Sequence, residues 1–463
     1  MRNATKPHRQ MKPQTLMREY KVVLISMSGV RVYNKKLLDL GLTLPGFVDR
    51  SKVIASLPSL GLLTLASHTP ENWEVIYKEL DNYSEIEIQE IIEYKPNLIA
   101  FSSLTARINE TYKLSGRFRE LGFTTVIGGL HVSAMPEEGM NFADIIIQGE
   151  GEYIWETLLK DFEKSEVKTL YSSITNHNFT FHLTDARIPK YELLDISKYN
   201  RLTIQTTRGC PLHCSFCASS RTISSYKKKP IEQIEKELNK IFEIWDRPFI
   251  ELADDNTFVD KKWSKELLTL FGKYKMKWFT ETDISIAYDD ELLELLAKSN
   301  CAQVLIGFET TSAKTLDGID KSNWKLKQFD NYISAIDKIQ SYGISVNGCF
   351  ILGFDTDTKE TFAETQQFIK ASNLSEVQIT LLTPFPKTDL YNQLQNENRL
   401  LKENYWDKCT LFDVNFIPKN FTVLELENHF QELMQNIYKD EVVKERKAKF
   451  KQILKNKINY QAV

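Results

Sequence analysis

Three cysteines fall inside one short run, Arg208-Gly209-Cys210-Pro211-Leu212-His213-Cys214-Ser215-Phe216-Cys217. Thiolates held this close can ligate three irons of one [4Fe-4S] cluster, leaving the fourth iron open to a non-protein ligand. Two plainer readings compete, a structural zinc site and three buried thiols. Zinc takes four ligands in paired spacings, and the nearby donor His213 is cramped inside the loop between two of the cysteines. Cys301, Cys349 and Cys409 stand singly and far apart, as buried small hydrophobes do.

The 463 residues suffice for two or three cores. Hydrophobic residues at 42% and charged residues at 26% are ordinary for a globular chain. A formal net charge of -3 argues against general nucleic-acid binding. No apolar run reaches transmembrane length. The polar start Met1-Arg2-Asn3-Ala4-Thr5-Lys6-Pro7 lacks the apolar core of a signal peptide. Six cysteines without an even framework do not suggest a secreted disulfide scaffold, so a reducing, cytoplasmic location is expected.

Residues 1–18 read as a flexible tail. From Lys21 onward, short apolar runs alternate with amphipathic stretches: Lys21–Ser26, Trp73–Tyr77, Asn97–Ser102, Thr124–Gly129 and Asp144–Ile147 as strands, with helices at 86–94, 111–121 and 151–162. Near-continuous apolar strands alternating with helices predict an α/β, doubly wound parallel sheet over 19–165. Ligands of such sheets bind beyond the carboxyl ends of the strands. Those ends carry small residues here, in Ser26-Met27-Ser28-Gly29, in Ser102-Ser103 and in Gly128-Gly129. Residues 166–199 read as a linker with a hairpin from Tyr171 to Leu183. Six further strands starting at Leu202, Phe249, Lys277, Gln303, Ser345 and Glu376, with helices between, fill 200–395. Residues 396–463 are rich in helix formers.

The cysteine run, with Phe216 before its last cysteine, resembles the CxxxCxxC signature of radical S-adenosylmethionine (SAM) enzymes. The six strand-helix units suit that family's partial (β/α)6 barrel. The run Gly128-Gly129-Leu130-His131-Val132-Ser133-Ala134-Met135-Pro136-Glu137-Glu138, then Asp144 and Gly149-Glu150-Gly151-Glu152, is similar to the cobalamin-binding domain fused to many of them. Leu57 to Leu63 fits the same class. The loop Ser26–Arg31 has no histidine where histidine-ligating cobalamin proteins carry one, so no histidine ligand to cobalt is expected; His68 and His131 read as hydrogen-bonding loop residues. A scaffold holding no cobalt remains the alternative.

The resemblance implies an enzyme with a [4Fe-4S] cluster, SAM and cobalamin. It implies methylation of an unactivated carbon through a 5'-deoxyadenosyl radical and methylcobalamin. Non-methylating cyclisation or oxidation is the alternative, and a non-catalytic sensor is a second one that the intact cysteine loop disfavours. Metal ligands would be Cys210, Cys214 and Cys217. Phe216, Asp255 and Glu309 would contact SAM, with Glu251, Asp254, Asn256, Glu281, Asp283, Asp355 and the run Thr383–Pro386 as further strand-end candidates. Ser102, Gly128 and Gly129 would meet cobalamin. A lone acid at a strand end is more often a helix cap than a ligand, which is the reading for Asp357 and Thr358. Partners implied are a small-molecule, lipid or peptide substrate and an electron donor such as flavodoxin or ferredoxin. Residues 415–422 are expected over the barrel mouth. The basic run Lys444–Lys451 reads as a solvated helix face, or as a contact to an anionic membrane surface or an acidic substrate.

Overall fold

A computed structural model describes residues 20–27, 29, 37, 57–80, 83–219 and 222–461. The tail expected over residues 1–18, and Ser28, Val30 and Arg31 of the first strand-end loop, lie outside the described residues. The N-terminal sheet contains β1 (Tyr20–Met27), β2 (Trp73–Glu79), β3 (Leu98–Ser103), β4 (Thr124–Gly128), β5 (Ile145–Gln148) and β6 (Leu170–Ser172). All pair in parallel in the order β2-β1-β3-β4-β5-β6. Val22 to Ile25 in β1 and Leu98 to Phe101 in β3 are buried along their length, as strands covered on both faces must be. Strand order reverses between β1 and β3, which places the ligand crevice of a doubly wound sheet at their carboxyl ends.

Helix boundaries follow local chemistry. Ser59 caps helix Leu60–Ser67, and Ser84 with Glu87 forms a reciprocal capping box on helix Glu85–Tyr94, which ends at left-handed Lys95. Helices Ile108–Glu120 and Glu152–Glu163 cover the sheet as the periodicity predicts.

The hairpin expected from Tyr171 to Leu183 does not form. Leu170–Ser172 instead joins the sheet as its sixth strand. The Ser172 hydroxyl then accepts from the Ile174 and Thr175 amides (3.2 and 3.1 Å), turning the chain before a return strand can pair. The segment that follows stitches the two sheets together. The Lys190 amide donates to the Leu63 carbonyl at 3.1 Å, and the Tyr191 hydroxyl to the Thr203 carbonyl at 2.8 Å.

The second sheet holds β7 (Leu202–Ile204), β10 (Phe249–Leu252), β11 (Lys277–Thr282), β12 (Cys301–Glu309), β13 (Ser345–Leu352) and β14 (Glu376–Leu381). They are parallel in the order β14-β13-β12-β11-β10-β7. Two short strands, β8 (Thr207–Arg208) and β9 (Lys227–Lys228), pair antiparallel and bracket the cysteine loop. The six-stranded open barrel is the expected one, and its chemistry belongs at the carboxyl ends of the strands.

The C-terminal region packs on both sheets. Trp406 and Tyr391 join the N-terminal core, while Leu426, Phe430 and Leu433 from helix Val423–Tyr438 join the barrel core. Residues 415–422 lie at the barrel mouth, where buried Phe416 approaches Gly353, and Asn420 donates to the carbonyls of Asp355 and Asp357. The basic run is not a uniformly solvated face. Arg446 is buried and donates to the Ile437 carbonyl at 2.9 Å, and Lys447 and Lys449 reach Glu376 and Glu445. Among the described residues no helix is long and apolar enough to cross a membrane.

Candidate active site

The cysteine loop is pinned at its base by Asp254. This buried carboxylate accepts from the Thr206 and Thr207 amides at 2.7 and 2.9 Å, from the Thr257 hydroxyl at 3.1 Å, and from the Thr206 hydroxyl. Asp254 is therefore committed to the loop's backbone rather than available to a ligand. Gly209 opens the loop at φ +79, and a Cβ there would lie 2.9 Å from the Ser224 carbonyl oxygen, so only glycine suits both the conformation and the space. Across the barrel mouth the Ser215 amide donates to the Ile319 carbonyl at 3.0 Å, and Cys214 bridges to Asp320.

Cys214 is buried and Cys210 and Cys217 partly so, all three as free thiols. Burial pushes the Cys214 thiol up to about 12 against the opposing pull of Lys325. Burial also raises Cys210, and the Cys217 charge adds to both. An uncompensated thiolate is thus disfavoured at Cys210 and Cys214; bound iron would reverse that balance. Among the described residues no three His, Cys, Asp or Glu side chains converge on a single metal-ion position. Three thiols on one loop are the donor set of a cluster with one open iron, and the residues present fit it.

Glu309 ends β12 with an unusual backbone. Its φ is +66, and the β12–β13 register shifts between Gly307 and Glu309. Lys325 holds the turned carboxylate at 2.8 Å and donates to the Gly307 carbonyl at 2.7 Å. A Cβ on Gly307 would sit 2.4 Å from the carboxylate oxygen, so the glycine makes room for Glu309 to fold back over the strand. Asp255 caps no helix; Asp260 caps the next one. The negative charge of Asp255 reaches both Cys210 and Glu281. Phe216 stands edge-on to Phe354 at 6.1 Å.

Other candidates have structural roles. Asn256 donates to Asp283 at 2.9 Å, and Asp283 caps the following turn. Asp355 is clamped by the Arg399 guanidinium at 2.6 and 2.9 Å. Thr358 is the helix N-cap, while Asp357 instead accepts from the Gly353 and Phe354 amides. Glu251 is paired with Arg201 at 2.5 Å.

Two adjoining cavities occupy the space between the sheets. One, of about 370 Å³, is lined by Ser102, Gly128, Gly129, Gly149, Arg208 and Ile223, among others. The second, of about 530 Å³, runs from Ser26, Ser102 and Gly129 to Thr203, Glu251 and Glu281 in the barrel. They share Leu60, Gly61, Ser102, Gly129, Leu130 and Ala253. Gly129 takes φ +111, and the small residues at these strand ends let a large flat ligand approach the backbone. Among the described residues no histidine lines either cavity. His68 is hydrogen-bonded to Glu156 at 2.9 Å, and His131 contacts Thr105 and Glu138. These features fit a corrinoid held without a histidine.

Several partners of this site carried no local sequence signal. Arg208 spans the domains, donating to Glu150 at 2.8 Å and Glu152 at 2.6 Å, and Lys227 adds a second cation on Glu150. Trp406 donates to Glu138 at 3.1 Å. Lys325 and Arg201 complete the carboxylate pairs.

Comparison with known proteins agrees with this arrangement. Residues 204–369 match the radical SAM superfamily, 48–159 the B12 binding domain, and 388–462 a domain of unknown function (DUF4070). The chain is 27% identical over 361 residues to bacteriochlorophyllide d C-12(1)-methyltransferase of Chlorobaculum tepidum, covering 76% of each. It is 28% identical over 359 residues to hopanoid C-2 methylase of Rhodopseudomonas palustris, covering 76% of this chain and 67% of the relative. Its fold resembles that of TsrM, a radical SAM methyltransferase from Kitasatospora setae solved with cobalamin and a [4Fe-4S] cluster. There the TM-score is 0.64 at 15% identity, over 82% of this chain and 75% of that one. A cysteine-bearing partial barrel behind a parallel B12-binding sheet, matched domain by domain, makes this chain a member of the radical SAM enzymes that carry an N-terminal B12-binding domain.

Proposed function

We propose that this enzyme methylates an unactivated carbon of a small-molecule substrate, using SAM on a [4Fe-4S] cluster together with cobalamin. The observation that carries the reading is the pair of adjoining cavities joining the carboxyl ends of the two parallel sheets. Cobalamin bound there would supply the methyl group, and SAM with its cluster at the cysteine loop would supply a radical. Cys210, Cys214 and Cys217 hold the cluster. Asp255 and Glu309 take the amino and ribose groups of SAM, with Phe216 on the adenine side. Ser102, Gly128 and Gly129 admit the corrin face. The apolar walls exclude water, and the rigid sheets fix the reacting partners relative to each other. An external one-electron donor such as flavodoxin or ferredoxin reduces the cluster.

The test is anaerobic reconstitution with iron, sulfide and hydroxocobalamin, followed by turnover with methyl-deuterated SAM. About four irons and stoichiometric cobalt, with a labelled methyl gained by a co-purifying or added substrate, support the proposal. Iron without cobalt, or SAM cleavage that yields a product of unchanged carbon count, overturns it in favour of a cyclase or oxidase.

A further inference from the structure

The 530 Å³ cavity has an unpaired acid at its barrel end. The β10–β11–β12 register and the β7–β10 register put Thr203, Glu251, Phe279, Glu281 and Leu305 on one sheet face, the face that lines the cavity. Two of the surrounding carboxylates already have cations, Glu251 on Arg201 and Glu309 on Lys325. Asp254 is spent on the cysteine loop. The Glu281 carboxyl has no hydrogen bond or ion pair among the described residues, and the charges that reach it come from Glu251, Asp255, Glu309 and Asp254. Cys349 of β13 also lies within its field. The Glu281 side chain is exposed to the cavity, and its enclosure by the protein, reinforced by these acids, pushes its carboxyl up to about 8. An independent feature stands beside it. Thr203, only 4% exposed, lines the same cavity, and its hydroxyl is buried without a partner. Around these polar groups the walls are apolar, with Leu57, Leu60, Leu104 and Leu130 opposite Phe279 and Leu305.

A carboxyl open to a largely apolar cavity, with no protein cation on it among the described residues, is a docking point for a cation from outside. We propose that this cavity is the substrate site, and that it takes a molecule with an apolar body and a protonated nitrogen that docks on Glu281. The proposal rests on the enzyme reading above and names its substrate class. Asp255 is the acid assigned to SAM in the reading above, so Glu281 is the acid left for the substrate. Because Glu281 holds its proton in the empty site near neutrality, docking of an ammonium expels that proton, and affinity rises as pH climbs through about 8.

The experiment is calorimetric titration of the full chain, reconstituted with iron-sulfur and cobalamin, with phenethylamine and its neutral counterpart 2-phenylethanol. The expected result is at least about tenfold tighter binding of the amine, with proton release read from the dependence of the heat on buffer. Glu281→Gln should bring the two probes within about twofold of each other. Equal affinities in the native enzyme, no binding of the amine, no proton release, or an undiminished preference in Glu281→Gln would each overturn the proposal. The native-protein heats decide the matter even if the variant misfolds. Methyl transfer to some other substrate is read separately by mass, so failure here leaves the methylase reading standing.

Discussion

Replacing Arg208 by glutamine should destabilise the fold by about 3–5 kcal/mol, the cost of breaking a buried ion pair from one side. The guanidinium bridges Glu150 and Glu152 of the B12-binding domain, both nearly inaccessible, from a strand two residues ahead of Cys210. Glu150 keeps Lys227 in the variant, but Glu152 loses its ion-pair partner. Burial alone would raise the Glu152 carboxyl; the Arg208 charge outweighs it and holds the group below the ordinary range. A carboxylate lowered in the folded state stabilises above its unfolded pKa of about 4.3, and that contribution is lost as pH falls through the folded value. In the variant the sign inverts. Unopposed burial lifts Glu152, so the deficit is greatest where the group is forced to ionise, near pH 8, and shrinks toward about pH 5 as it takes up a proton. Urea unfolding of native and variant chains, followed by circular dichroism at the two pH values, measures this directly. Adding Glu152→Gln to Arg208→Gln should recover much of the loss by removing the stranded charge. A deficit below about 1 kcal/mol, as for an exposed pair, a deficit independent of pH, or simple additivity in the double variant would refute the reasoning.

Other expectations follow from the same geometry. Gly209→Ala places a Cβ against the Ser224 carbonyl at a φ of +79; reconstituted iron should fall below half of the native content with circular dichroism unchanged, and full iron retention would contradict it. Lys325→Met strands Glu309, which should cost about 3–5 kcal/mol in unfolding free energy and weaken SAM binding, measured by equilibrium dialysis, by about tenfold or more. Burial pushes Asp357 up to about 7. Folded protein therefore binds this proton more tightly than unfolded, and its contribution, complete below about pH 3.9, is lost as pH rises to about 7. Asp357→Asn should flatten that slope, so its stability relative to the native chain improves between about pH 5 and about pH 8; an unchanged slope in urea titrations would count against it.

The sequence by itself determined the strands, because a strand buried on both faces must be apolar along its length, as Val22–Ile25 and Leu98–Phe101 are. It also located the cysteine loop, because cluster ligation depends on thiols close together in the chain. The hairpin after Tyr171 misled, since the Ser172 side chain turned the backbone in a way that composition does not encode. What the acids do was decided only in three dimensions. Asp254 and Asp255 are neighbours in sequence, yet one is consumed by loop hydrogen bonds while the charge of the other reaches Cys210 and Glu281. Glu251 and Glu281 end adjacent strands, and one has a cation 2.5 Å away while the other has none among the described residues. Arg208 finds its partners 56 and 58 residues earlier in the chain. Hydrophobic periodicity is local and survives in one dimension. Charge pairing and burial depend on which strand ends the topology brings together, and that information appears only once the two sheets face each other across the cavities.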